Sequence, residues 1–262
     1  MLLYDTLRAS FKPVQWLCVP TTVLHAERLR LDGPCIIAPT HISHLEPFVV
    51  SMVLRRRVHW MSRTEFYDIK PFAWVLNRTG AFPVHRQGYA RPAMRHGLRW
   101  LEQDQWIGVF PEAGVSRRQF SAMRGGPIKR GAAFLALYAQ APIIPIAVVG
   151  THAMNRVTPW LPFRRAPVYL AIGEPIQPGP LPERLSDKRA RRMELAQTLR
   201  DTYQRLYAEL LELDGVDDRH DLHRHEPDDP ARVRIDPHAA AGDASLTASA
   251  AAHVGSRPAH AS

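Results

Sequence analysis

An α/β layered fold with a mainly parallel central sheet flanked by helices is what this sequence predicts, on three observations. From about residue 34, short apolar runs rich in β-branched residues alternate with longer segments of helical periodicity, the rhythm of βα units. The most apolar run, "IIPIAVV" at 143–149, shows no polar alternation, as expected of a strand covered on both faces. Hydrophobic residues make up 45% of the 262, enough to fill a sizeable core.

Taken in order, residues 1–30 read as one or two amphipathic helices, with Leu2, Leu3, Leu7, Phe11, Trp16 and Leu17 set among Arg8, Lys12, Arg28 and Arg30. Such a segment either caps a core or lies in a membrane interface. Strand-like runs follow at 35–39 (CIIAP), 58–62 (VHWMS), 80–84 (GAFPV), 106–110 (WIGVF), 143–149 and 168–173 (VYLAIG). Helical runs at 47–55, 66–77, 89–103 and 127–140 lie between them. Residues 132–150 carry no charge over nineteen positions, close to the span of a bilayer. Gln140, Pro142 and Pro145 divide that stretch, so it reads as a buried helix followed by a buried strand. Residues 187–213 are the clearest helix, with Leu195, Leu199, Tyr203, Leu206 and Leu210 at three- to four-residue spacing and Gly215 as its stop.

Beyond it the chain turns polar and Ala/Ser-rich, without apolar periodicity. It cannot bury enough surface to offset its ordering entropy. The expected organisation is therefore a folded domain over 1–213 and a disordered tail over 214–262. His220, His223 and His225 in that tail read as solvated side chains before they read as metal ligands.

The formal charge of +9 is unevenly spread: the tail holds nine acidic residues and five Arg, the preceding 213 residues 29 basic and 16 acidic. So basic a body favours an anionic membrane, nucleic acid or phosphorylated substrates. Nucleic acid is disfavoured, because aromatic residues are not interleaved with the basic ones as stacking platforms require. Two cysteines, Cys18 and Cys35, form no disulfide framework and lack metal spacing. Asp5, Arg8 and Lys12 interrupt the first apolar residues, so no signal peptide is expected.

Chemistry concentrates in "THISHLEPF", residues 40–48. His41 follows the strand-like CIIAP, at the end where open α/β sheets place their sites. Pro47 suits the first position of a helix, which puts Glu46 at the N-cap, where Glu is not preferred. A carboxylate five residues after a histidine can orient it as a general base toward a hydroxyl. A zinc site from His41, His44 and Glu46 would match none of the usual spacings. Three later stretches add candidates. "GAFPVHRQG" at 80–88 ends in Arg86, a residue able to clamp phosphate in bidentate fashion. "FPEAGVSRR" at 110–118 places Glu112, Ser116, Arg117 and Arg118 around small residues at 113–114 that let a ligand approach the backbone. "APIIPIAVVG" completes the set.

These four blocks, in this order over roughly 30–175, resemble the four motifs of the glycerolipid acyltransferases, specifically the 1-acylglycerol-3-phosphate (lysophosphatidate) acyltransferase family. His41 and Glu46 match H-x-x-x-x-D, GAFPVHR the second block, FPEAGVS the block F-P-E-G-T-R-S, and APIIPIAVV the Pro-containing fourth. The chain departs from the pattern where Glu46 replaces Asp, Ala113 Gly, Gly114 Thr and Val115 Arg. The resemblance implies an O-acyltransferase of phospholipid biosynthesis, moving a fatty acyl group from acyl-CoA or acyl carrier protein to the hydroxyl of a lysophospholipid, 1-acylglycerol-3-phosphate first. His41 would be the base and Glu46 its orienter. Arg86, Glu112, Gly114 and Ser116 would form the acceptor site, with Arg117 or Arg118 supplying the charge missing at Val115. No metal or redox cofactor is implied. A peripheral or monotopic place on the cytoplasmic face of the cell membrane is the expected location. The rivals are an acyltransferase for another lyso-lipid and an inactive basic membrane-binding module.

Overall fold

The computed structural model describes residues 19–84, 91–115, 121–151 and 167–216, with only the backbone at Phe72. Seven strands form one sheet: β1 Thr21–Leu24, β2 Cys35–Pro39, β3 Val58–Arg63, β4 Phe82–Val84, β5 Trp106–Gly108, β6 Ile143–Val149 and β7 Val168–Ile172. Their order is β1-β7-β6-β2-β5-β3-β4. Every pairing is parallel except β6 with β7. Helices α1 Glu46–Val53, α2 Lys70–Thr79, α3 Arg91–Glu102, α4 Gly131–Ala139 and α5 Leu185–Leu211 complete the described architecture. The sheet is the mainly parallel one that the βα rhythm predicts.

The two-residue period of a strand sorts the core into two layers. Ile36, Ala38, Ile143, Ala147 and Val149 pack with Ala93 and Leu101 of α3, Leu135 of α4 and Leu199, Tyr203 and Leu206 of α5. Their neighbours Cys35, Ile37, Ile144, Ile146 and Val148 pack on the other face with Val49 and Val50 of α1. β6 is buried at all seven positions, which explains its unbroken apolar run. Burial also pushes the Cys35 thiol up to about 12, so it acts as a small core hydrophobe.

Several boundaries differ from the sequence expectation. Part of the first thirty residues is not helical: Thr21–Leu24 is a strand beside β7, followed by a 3₁₀ turn over Ala26–Leu29. Two threonines and a valine suit an edge position there; residues 1–18 lie outside the described set. The helix expected over 66–77 is a 3₁₀ turn, Thr64–Tyr67, and then α2, because Pro71 is tolerated only in a first helical turn. Gly80, expected to open a strand, instead caps α2 at φ 75°. Glu46 is the first residue of α1 rather than its N-cap, which is Leu45. The expected tail lies outside the described residues beyond 216. Among the described residues, no helix is long and apolar enough to cross a membrane.

Candidate active site

β6, β2 and β5 are adjacent and parallel, so their C-terminal ends open at one edge of the sheet. His41 follows β2, Glu112 follows β5 and Thr151 follows β6. This is the crevice at strand carboxyl ends where open α/β folds hold ligands.

His41 is fixed from three sides. Its Nδ1 lies 2.7 Å from Oε2 of Glu46, on a side chain of which 13% remains exposed. Its backbone N–H donates to Oε2 of Glu112 at 3.1 Å. Its ring stacks on Phe110 at a centroid distance of 4.1 Å, and Phe110 stacks in turn on Trp60 at 5.3 Å. Trp60 is tied to α1 by its indole N–H, which donates to the Ser51 hydroxyl at 2.8 Å. The stack leaves the imidazole little freedom to rotate.

Glu46 is fully buried. Its Oε1 accepts from the Thr151 hydroxyl at 2.6 Å and from the Ile42 N–H at 3.2 Å. Burial raises its carboxyl above the ordinary range, and the bonds from His41, Thr151 and Ile42 oppose that rise. Its place in the first turn of α1 also puts the carboxylate at the positive end of that helix. With Glu46 ionised, Nδ1 of His41 carries the proton and Nε2 keeps its lone pair. In that state the pair can take a proton at Nε2.

Glu112, expected in the acceptor site, uses both oxygens on the protein. Besides the His41 N–H, it accepts from the Ser121 hydroxyl at 3.1 Å and the Ala122 N–H at 2.8 Å. Its carboxylate joins the β2–α1 loop to the segment after β5. Ala113 adopts φ 58°, a left-handed turn that favours glycine, at the position where the motif's Gly is replaced. Gly114 lies half-buried in the same turn. Arg86, Ser116 and Arg117 lie outside the described residues, although β4 ends at Val84, parallel to its neighbour β3 and at the same edge of the sheet. His44 meets His41 edge-on at 6.1 Å and Phe66 at 6.4 Å. No group of three or more His, Cys, Asp or Glu suited to a metal occurs among the described residues.

Sequence reading missed Thr151 and the Trp60–Phe110 stack. Thr151 stands one residue past the fourth block, and a lone threonine at a strand end carries no signal of its own. Trp60 lies 19 residues from His41 in sequence and reaches it only across β5, through Phe110.

The chain is similar to known acyltransferases. A family model described as Acyltransferase matches residues 21–149. A 1-acyl-sn-glycerol-3-phosphate acyltransferase of Bacillus subtilis (strain 168) is 26% identical over 155 residues, covering 59% of this chain and 72% of that protein. The 1-acyl-sn-glycerol-3-phosphate acyltransferase beta of Homo sapiens is 29% identical over 122 residues, covering 45% of this chain and 42% of that one. The crystal structure of the 1-acyl-sn-glycerophosphate (LPA) acyltransferase PlsC from Thermotoga maritima superposes with a TM-score of 0.59 at 20% identity, covering 76% of this chain and 75% of that chain. At that identity the superposition speaks for the fold.

Proposed function

Because the chain belongs to the glycerolipid acyltransferase family and is an O-acyltransferase, we propose that it acylates a lysophospholipid, with 1-acylglycerol-3-phosphate as the first candidate acceptor. The observation that carries the reading is the 2.7 Å contact between Glu46 and Nδ1 of His41, which frees Nε2 as the base. Nε2 takes the proton of the acceptor hydroxyl as its oxygen attacks the thioester carbonyl. A C–O bond forms and a tetrahedral adduct follows. Its collapse breaks the C–S bond, and the departing thiolate recovers the proton from His41. Glu46 stabilises the imidazolium between the two steps. The thioester itself supplies the driving force, so this route draws on no metal or redox cofactor. The donor is acyl-CoA or acyl carrier protein.

The acceptor assignment rests on the names of the relatives and on the motif around Arg86 and Glu112. The replacement of Gly-Thr-Arg by Ala113-Gly114-Val115 is the observation that favours testing other lyso-lipids. Purified protein incubated with labelled acyl-CoA or acyl carrier protein and a panel of lysolipids should give a phosphatidic acid product from 1-acylglycerol-3-phosphate. Thiol release without an acylated lipid would mark a thioesterase. No thiol release from either donor would leave an inactive binding module.

The same proposal places the protein peripherally on the cytoplasmic leaflet, whose anionic lipids complement 29 basic against 16 acidic groups in residues 1–213. High salt or carbonate should then extract it from membranes at least in part. Full retention until detergent is added would contradict peripheral attachment.

A further inference from the structure

We propose that Thr151 is a positioning residue of the reaction, the third member of a Thr151–Glu46–His41 chain, and that its hydroxyl holds Glu46 ionised and aimed at Nδ1. The inference rests on the proposed base role of His41. Nothing in the sequence motifs assigns this threonine a part.

The geometry is specific. Thr151 is fully buried, and its Oγ1 lies 2.6 Å from Oε1 of Glu46, the length of a charge-assisted O–H···O⁻ bond. The other oxygen of the same carboxylate faces His41. One carboxylate is therefore gripped from both sides, and its plane is set by Thr151 and the Ile42 N–H together. Local backbone serves the same end. β6 ends at Val149, and Gly150 follows at φ 98°, where a Cβ would collide with the Pro167 carbonyl. The chain can turn there only without a side chain, and the turn delivers Thr151 to the carboxylate.

A glutamate at this position makes the support necessary. It has one more methylene, and one more torsion to fix, than the aspartate of the family pattern. Fully buried, it also pays a desolvation cost when charged. A hydroxyl donor on the oxygen that His41 does not use lowers that cost, and stops the carboxylate from rotating away from Nδ1. Tyr203 and Glu112, the other buried ionisable groups near this strand end, engage the Ala38 carbonyl and the His41 N–H instead. They leave the Glu46 oxygens to Thr151, Ile42 and His41 among the described residues.

The test compares Thr151→Val and Thr151→Ser in the full chain. Val keeps the shape and removes the donor, whereas Ser keeps the donor. Acyl transfer from labelled acyl-CoA to 1-acylglycerol-3-phosphate vesicles should fall about 10- to 100-fold in kcat for Val, the usual worth of one bond to a charged group, with KM little changed. Ser should restore most of it. Independently of substrate, the Nδ1 proton of His41, identified by its loss in His41→Ala, should move in the NMR spectrum of Thr151→Val and return in Thr151→Ser. Equal kcat in all three proteins, or an unmoved Nδ1 resonance in a folded Val variant, overturns the proposal. A resonance that moves in a protein transferring no acyl group to any lysolipid leaves the positioning role standing and removes the proposed function instead.

Discussion

Glu46 carries a conflict at the scale of one residue, since burial favours its neutral form while orienting His41 requires the charged one. Three donors oppose the effect of burial: Thr151 and Ile42 on one oxygen and His41 on the other. His41→Ala should therefore fold normally and lose two to four orders of magnitude in turnover, about 10²–10⁴-fold, the usual contribution of a positioned base. Glu46→Gln should slow turnover by about 10³–10⁴-fold, because a neutral amide neither stabilises the imidazolium nor enforces its tautomer. Glu46→Asp should fall between Gln and the parent, since the shorter arm cannot reach all three donors without a shift at the start of α1. Steady-state kinetics on the same acceptor rank the three. Near-normal turnover in His41→Ala, with loss in His44→Ala, would reassign the base. Ala113 offers a separate test, because it holds φ 58° where the family pattern has glycine. A left-handed alanine costs about 1–2 kcal/mol, and the greater unfolded-state freedom of glycine recovers about 0.5–1 kcal/mol of that. Ala113→Gly should leave the denaturation midpoint unchanged or raise it slightly. A clear fall would mean that the Ala113 methyl makes a packing contact of value.

Among the elements, β5 does the most for the site, although only three of its residues form ladder pairs. Its Gly108 lies beneath the Trp60 ring, so that a Cβ there would collide with the indole. Trp60 can lie flat over that strand only because position 108 has no side chain. The indole then supports Phe110, and Phe110 supports His41. Gly108→Ala should displace the stack, costing about 1–3 kcal/mol by overpacking and lowering turnover beyond what the stability loss explains. Thermal melting and kcat measured on the same preparation separate the two effects. Unchanged activity in this variant would mean that His41 is positioned by Glu46 and Glu112 alone. α5 contributes at the neighbouring strand, where the buried Tyr203 hydroxyl donates to the Ala38 carbonyl at 2.8 Å. That bond ties α5, the longest helix among the described residues, to β2, the strand that leads into His41.

For the whole molecule, pH stability should follow a histidine outside the proposed His41–Glu46 site. His59 is buried in β3, its Nδ1 2.9 Å from the Gly80 carbonyl and its ring stacked on Trp100 at 3.8 Å. Burial holds its pKa below the ordinary 6.5, the bond to Gly80 opposes this, and Arg57 reinforces it. The unfolded chain therefore binds this proton more readily than the folded one. The stability contributed is fully present above about pH 6.5 and is lost as pH falls through the lower folded value. Urea midpoints should drop between pH 7.5 and 5.5, and His59→Phe should flatten that part of the slope if it folds; where it does not, NMR titration of His59 in the parent chain should still find the depressed pKa. A titration near 6.5 would remove this account.

How much was legible beforehand depends on whether the information is local. Periodicity and β-branching located six of the seven strands, and the spacing of Leu195, Leu199, Tyr203, Leu206 and Leu210 located α5, because both patterns record which side of one element is buried. The pairing of His41 with Glu46 was legible for the same reason, since five residues across a strand–helix junction lie within one loop. β1 was not, because a four-residue edge strand is decided by the open edge of β7 rather than by its own composition. The position of Glu112 across the sheet edge, the Trp60–Phe110 stack and the grip of Thr151 on Glu46 were not legible either. Each depends on β3, β5, β2 and β6 becoming neighbours in an order that the chain does not follow. The sequence by itself determined the layered α/β class and the dyad. Only the tertiary structure decided what holds that dyad in place, because residues 71 and 105 positions away become neighbours solely through parallel strand pairing.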